Sequence, residues 1–423
     1  MVLPGGMHMH LRVKPFTLFL CFLLIAFLIL GPPFLWAGLK KREPLDFLLP
    51  QKPKWTGMIR LWDVPYVETG TGSRISWLKT RIRDFEKKYP GVFVDIRPMT
   101  SQRVKMYFQG DVEREFLPDI ISLELYEEII PEGMLEDLSF ALDEEKIKGL
   151  HSLAQKRIVK NGKIIGIPWM MGGYGFFINQ DLVMKRNVII PEDQEWDYEA
   201  LGQVVQATTY QETQRKKKIP YYGFCSYSTP YSRPLYCMFY HQGGKIQDDM
   251  GYQAFIKWVR DLKAAPAHLF SLSYADAWKL FGEQQAGLML GNTRVLYDLR
   301  KLQDSGKGFQ FRVTAVPLSG KEGLFMDQVA AFGILKQEDP EKLKICAELL
   351  LSLLNEDAQI SLKELGVFPV ITGVDPIYVD DPEMGILERM LKNCLYGPDE
   401  ADFPGFRQAL QEALARDLSN DGQ

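Results

Sequence analysis

Cysteine is scarce. The chain has five, Cys21, Cys225, Cys237, Cys346 and Cys394, among 423 residues. No two form a CxxC pair, so no zinc framework is written here. Cys225 and Cys237 have two readings: a disulfide in an oxidising compartment, or two small buried hydrophobes. Histidine is equally scarce. His8 and His10 precede a long apolar run, and His151, His241 and His268 stand alone with no HExxH, so none implies a metal. A basic surplus is also missing. The formal net charge is -4, which leaves nothing to neutralise nucleic-acid phosphates. There is no Walker loop and no GxSxG nucleophile elbow. ETGTGSR (residues 68–74) sets two glycines before a helix start but lacks GxGxxG spacing, and reads as a loop rather than a phosphate cradle. Acidic doublets such as Glu127-Glu128, Asp248-Asp249 and Asp380-Asp381 read as solvated faces. Nothing in this inventory requires an enzyme, a metal or a cofactor.

What is present begins with one long hydrophobic run. Residues 15–39 carry no charge, and residues 16–30 read FTLFLCFLLIAFLIL. As a helix, residues 16–39 would extend about 36 Å, enough to cross a bilayer. Pro32-Pro33 would end or kink it, and Trp36 suits an interface. Basic residues flank both ends, Arg12 and Lys14 before, Lys40, Lys41 and Arg42 after, so charge does not fix the orientation. A cleaved signal sequence is the alternative. Ala37 is small but Leu35 is not, so the A-x-A pattern fails. We read residues 1–14 as cytoplasmic, 15–39 as a transmembrane anchor, and the proline-bearing stretch 40–53 as a linker.

Beyond the linker the chain is too long for one core and suits two domains. From Met58 the pattern MIRLW alternates as a strand. Ile75, Leu78, Ile82, Phe85 and Tyr89 form one helix face, with Ser73 as the cap and Pro90-Gly91 as the stop. Strands are expected at 92–96, 118–123, 163–168, 175–179, 221–225, 286–290, 311–317 and 328–335. Helices are expected at 196–208, 250–264 and 339–355, the last entered by Pro340. Alternating strands and helices predict an α/β architecture with largely parallel sheets.

A run of ordered motifs then adds a family. GIPWMMGGYGFFINQDLVMK (166–185) is followed by EWDYEAL (195–201). FEKKYPGV (85–92), HQGGKIQDD (241–249), FGEQQAGLMLGN (281–292), VPL (316–318), DPEKLKICAELLLSLLNEDAQ (339–359) and GVFPV (366–370) complete the series. Together, from residue 57 onward, they resemble the extracellular solute-binding proteins of sugar-type ABC transporters. The resemblance implies a type II periplasmic-binding-protein fold, two α/β lobes around a ligand cleft, here behind an N-terminal transmembrane helix. Residues 54–170 with 318–354 would form one lobe, and residues 171–317 with 355–423 the other. Gly172, Gly173 and Gly175 would lend backbone freedom at the first crossover.

Cleft residues follow from the same resemblance and from strand ends, where loops converge. They are Trp62, Asp63, Ser122, Glu124, Tyr126, Trp169, Met171, Tyr174, Tyr231, Arg233, Asn292 and Arg294. Aromatics among them would stack on the apolar faces of a sugar while polar groups fix its orientation. Two departures matter. The family often has a tryptophan where this chain has Thr293, and Asn292 and Arg294 beside it admit an anionic ligand. Cys21 lies too early in the apolar run to be a lipobox cysteine, so a membrane helix would replace lipidation. The implied function is capture of a carbohydrate or related polar solute outside the cytoplasm, at the cell membrane, and delivery to ABC permease subunits. The alternative is a sensor that signals to a membrane receptor or kinase.

Overall fold

The computed structural model describes residues 54–65, 67–110, 112–123, 129–131, 133–190, 196–229, 233–239, 245–317, 325–397 and 403–419. The expected anchor and linker, residues 1–53, lie outside them. Among the described residues no helix is long and apolar enough to cross a membrane.

The first strand, β1 (Gly57–Asp63), alternates as its sequence requires, with Ile59 and Leu61 buried and Met58 exposed. β2 (Val92–Pro98) and β3 (Ile120–Ser122) pair with it in parallel on either side. Parallel neighbours need a crossover. The helix Arg74–Lys88 supplies the first, burying Trp77, Leu78, Ile82 and Phe85. Ser73 caps it, its hydroxyl accepting from the Ser76 N–H at 3.3 Å. The expected strand at 163–168 divides in two. β4 (Val159–Lys160) and β5 (Lys163–Ile164) form a hairpin around Asn161-Gly162, both at positive φ. β6 (Ile167–Met171) then joins the first sheet.

β7 (Tyr174–Asn179) belongs to the second sheet, with β8 (Tyr210–Gln214), β9 (Lys217–Cys225), β10 (Ala286–Asn292) and β11 (Phe311–Thr314). After β12 (Phe325–Met326) the chain returns, and β13 (Val329–Ile334) inserts between β3 and β6, antiparallel to both. β14 (Leu395–Tyr396) pairs with β12. The sheet orders are β2-β1-β3-β13-β6 and β11-β7-β10-β9-β8.

The second sheet corrects the expectation of largely parallel strands. Only β9 and β10 run parallel in it. β8 and β9 are joined by just Arg215-Lys216, both at positive φ, and a two-residue turn permits only an antiparallel pair. β7 enters straight from β6 without a crossover helix, and runs against both β10 and β11. The expected helix over 250–264 also changes character, its α-helical part Met250–Ile256 continuing as a wider π turn, Lys257–Asp261.

The crossover glycines act through volume rather than backbone freedom. None of Gly172, Gly173 and Gly175 has a positive φ. A Cβ on Gly172 would stand 3.1 Å from the Cβ of Gln328, and one on Gly175 would stand 2.4 Å from Leu387 Cδ2. The carboxy-terminal part touches both sheets. Gln359, after the helix Pro340–Ser352, donates from Nε2 to the Trp169 carbonyl at 2.9 Å and accepts from the Val370 N–H at 2.8 Å. Trp77 Nε1 donates to Ser361 Oγ at 2.8 Å. The later helix Pro382–Leu391 instead brings Leu387 against Gly175 of β7.

Gly166 tests the packing around β6. A Cβ there would meet Leu123 Cδ1 at 2.2 Å and the Phe332 carbonyl oxygen at 2.7 Å. Gly166→Ala is expected to lower unfolding stability by about 1–3 kcal/mol. A wild-type denaturant midpoint in this variant would contradict that close approach.

Candidate functional site

At the end of β1 the structure assembles a buried ion pair. Arg74 NH2 donates to Asp63 Oδ1 at 2.6 Å and Nε donates at 3.0 Å, with both side chains almost fully buried. Ser122 Oγ donates to Asp63 Oδ1 at 3.4 Å and accepts from the Val64 N–H at 2.9 Å. Asp63 and Ser122, expected at the cleft, therefore fix the first turn of a helix to the ends of two strands. Trp62 is 3% exposed and packs edge-on against Tyr107, ring centres 4.8 Å apart.

Trp169 is also placed differently from its expected position. It is 0% exposed, stacked between Trp77 at 5.1 Å and Phe332 at 5.8 Å, with the Arg74 guanidinium 4.9 Å from its ring centre. It lies at a register shift between β6 and β13, where Pro168 pairs with Ala331 and Met170 with Ala330. Met171, 1% exposed, exchanges backbone hydrogen bonds with Phe368. In this conformation neither residue offers a ligand any surface.

Tyr174 and Arg233 converge on a residue that the motifs did not mark, Asp327. The Tyr174 hydroxyl donates to Asp327 Oδ1 at 2.7 Å and accepts from the Arg233 N–H at 3.0 Å. Arg233 Nε donates to Asp327 Oδ2 at 3.1 Å, and both side chains are at most 4% exposed. Gln328 Nε2 donates to Asp327 Oδ1 at 2.9 Å. Arg233 is thus engaged at the chain crossings. Nearby, burial pushes the Cys237 thiol up, and the Asp327 carboxylate adds to the effect. Cys225 and Cys237 are free thiols in the interior, which favours the buried-hydrophobe reading over a disulfide.

Arg294 does meet open space, while Asn292 is buried behind it, 1% exposed. A pocket of about 380 Å³ lies between the loop after β1 and the helix Thr293–Asp304. Val67, Glu68, Gly70, Gly72 and Arg74 line it from one side, and Arg294, Asp298 and Lys301 from the other. Asn292 caps the helix, its Oδ1 accepting from the Arg294 N–H at 3.1 Å, and its Nδ2 donates to Glu68 Oε2 at 2.7 Å. The Arg294 side chain is 45% exposed and lies over the Tyr274 ring at 4.1 Å. It stands 3.6 Å from Asp298 and 3.9 Å from Glu68. Lys301 Nζ is 3.4 Å from Asp298. Burial first, then its hydrogen bond to Asp298, keep the Tyr274 hydroxyl protonated far above neutrality. The ETGTGSR loop, set aside as a cradle on spacing, supplies one wall. Glu68 and Asp298 were missed because each gains meaning only from a partner on another element. Glu124, Tyr126 and Tyr231 lie outside the described residues. Among the described residues no group of three or more His, Cys, Asp or Glu side chains could hold a metal.

Two sheets, a repeated crossing between them and a pocket between the loop after β1 and the helix after β10 match the two-lobed fold of the periplasmic solute-binding proteins. Solved structures with this fold bear out the architecture. The cyclic alpha-maltosyl-1,6-maltose binding protein from Arthrobacter globiformis superposes with a TM-score of 0.63 at 15% identity, covering 86% of this chain and 95% of that one. The GacH receptor of Streptomyces glaucescens, solved unliganded and with acarbose, gives 0.60 at 17%, covering 87% and 95%. The maltose/maltodextrin-binding domain MalE from Bdellovibrio bacteriovorus, bound to maltotriose, gives 0.60 at 14%, covering 86% and 94%. No family model and no curated protein matches the chain.

Two measurements check this reading. Trp169→Ala is expected to remove about 3–5 kcal/mol of stability, the range for emptying a buried aromatic site. Unchanged thermal unfolding would remove Trp169 from the core. Native alkylation should leave Cys225, Cys237, Cys346 and Cys394 unmodified, because all four are buried and burial pushes their thiols up, Cys394 to about 12. Peptide mapping that finds any of the four labelled before unfolding would contradict their placement.

Proposed function

We propose that this chain is a non-catalytic, extracytoplasmic binding protein that captures an uncharged polar solute, a carbohydrate, in the pocket between its lobes. The observation that carries the reading is the balance of charge around Arg294. Its guanidinium is bracketed by Glu68 and Asp298, and Lys301 shares Asp298. Arg74 is spent on Asp63. An anionic ligand would have to pull a cation away from a carboxylate already beside it. A hydroxyl-rich neutral ligand can donate to the carboxylates and accept from Arg294 without separating either cation from its carboxylate. The anionic alternative opened by Asn292 and Arg294 is thereby disfavoured. The sugars bound by proteins of the same fold point the same way.

We further propose anchorage by residues 15–39 and delivery to an ABC permease at the cell membrane. The lobes would comprise residues 54–171 with 327–370, and 174–317 with 382–419. That division moves Met171 and residues 355–370 from the second lobe to the first, since Met171 pairs with Phe368, and Gln359 and Ser361 bond to Trp169 and Trp77.

A thermal-shift screen of the detergent-solubilised chain tests the reading. Ligand that binds only the folded state at a hundredfold over Kd adds about 2.7 kcal/mol. Neutral oligosaccharides such as maltotriose are expected to raise Tm, and sugar phosphates to leave it unchanged. For the active saccharide, Arg294→Ala should weaken binding by about 0.5–1.5 kcal/mol, the range for a neutral hydrogen bond. Stabilisation by sugar phosphates alone would sink the neutral-ligand reading.

A further inference from the structure

The pocket is bridged as well as walled. We infer that residues 68–73 form a strap that latches the two lobes together without ligand, with the Glu68 carboxylate as its clasp. The strap leaves the end of β1, in the first sheet, and Glu68 Oε2 accepts from Nδ2 of Asn292, the last residue of β10 in the second sheet, at 2.7 Å.

The receiving side is rigid. Asn292 is 1% exposed, its Oδ1 is committed to the Arg294 N–H, and its own N–H donates to the Tyr227 hydroxyl at 3.2 Å. Its amide can therefore present Nδ2 in one direction only. A carboxylate acceptor strengthens that bond, and Arg294 at 3.9 Å adds attraction.

The strap is also backed. The Thr71 N–H donates to the Leu365 carbonyl at 3.0 Å. Gly72 sits at φ +65°, where a Cβ would lie 2.4 Å from the Glu364 carbonyl oxygen. Gly70 leaves room for Tyr297 of the helix Thr293–Asp304, since a Cβ would come within 2.7 Å of that ring. The strap thus meets the second lobe twice, at Asn292 and Tyr297, and is held from behind by residues 364–366. Both glycines are required by this wedge, one for its left-handed turn and one for close approach. A loop that only linked β1 to its helix would need neither contact.

The consequence is a closed state populated before ligand arrives, so that release of the clasp precedes entry. The latch rests on the lobe division proposed above and not on the identity of the ligand. Hydrogen exchange of the full chain, ligand-free, reads it directly. Glu68→Ala is expected to raise exchange about three- to tenfold in residues 64–73 and in residues 290–299 on the opposite lobe, with β7 unchanged. Glu68 is partly solvent-exposed, which sets the effect below that of a fully buried charged bond. Glu68→Gln keeps an acceptor oxygen and should stay within about twofold of wild type. Asn292→Asp keeps the helix cap, removes the donor and sets a second carboxylate against Glu68, so it should raise exchange in the same two segments at least as much as Glu68→Ala. A change confined to residues 64–73, or one that spreads equally into β7, overturns the latch. Because no saccharide is used, that outcome is distinct from failure of the thermal-shift screen.

Discussion

The buried Arg233–Asp327 pair is the interaction on which the arrangement of the two lobes depends. Asp327 lies on the segment that returns to the first sheet, and Tyr174 opens the strand that left it. Both carboxylate oxygens are used, one by Tyr174 and Gln328, the other by Arg233. The Gly172 N–H donates to the Gln328 carbonyl at 2.9 Å, so the two passages touch directly. A buried ion pair of this kind is a poor source of net stability, because desolvation offsets much of the attraction. What it provides is registry. These hydrogen bonds tie residues 172–174, 327–328 and 233 to one another. Removing one partner would leave the other charged and buried, at a cost of about 3–5 kcal/mol.

From that fixed point the pocket follows. β10 runs against β7 and ends at Asn292, so the seam that positions Tyr174 also positions the cap of the helix Thr293–Asp304. On the other side, the Asp63–Arg74 pair sets where the helix Arg74–Lys88 begins and hence where the strap returns. Two buried ion pairs thus aim two walls. Between them Arg294, Lys301, Glu68 and Asp298 remain partly exposed and mutually compensated. That distribution is what the proposal of a neutral, hydroxyl-bearing ligand rests on.

Much of the fold was legible in the sequence. Alternation from Met58, the helical spacing through Ile75 to Phe85, the Pro340 entry and the glycine-rich segment at 166–185 each mark elements that the structure contains. Strand direction in the second sheet was not legible, because pattern shows that a strand exists but not which neighbour it meets. The site was less readable for a related reason. Arg233 and Asp327 are 94 residues apart, and Asn292 and Glu68 are 224 apart. Polar and aromatic residues at strand ends look ligand-facing until such distant partners are known. Trp169, Asp63 and Arg233 all proved to be held inside. Glu68 carried a faint signal: it heads a loop with two glycines before a helix start, without the spacing of a phosphate cradle.

The central claim is that a neutral saccharide occupies the space between the strap and the helix Thr293–Asp304. A crystal structure of the chain with the saccharide that stabilises it most would test this claim directly. The sugar is expected within hydrogen-bond reach of Arg294 or Asp298 on one side and of the loop after β1 on the other. A saccharide bound anywhere else, with this pocket still bridged only by Glu68 and Asn292, would contradict it.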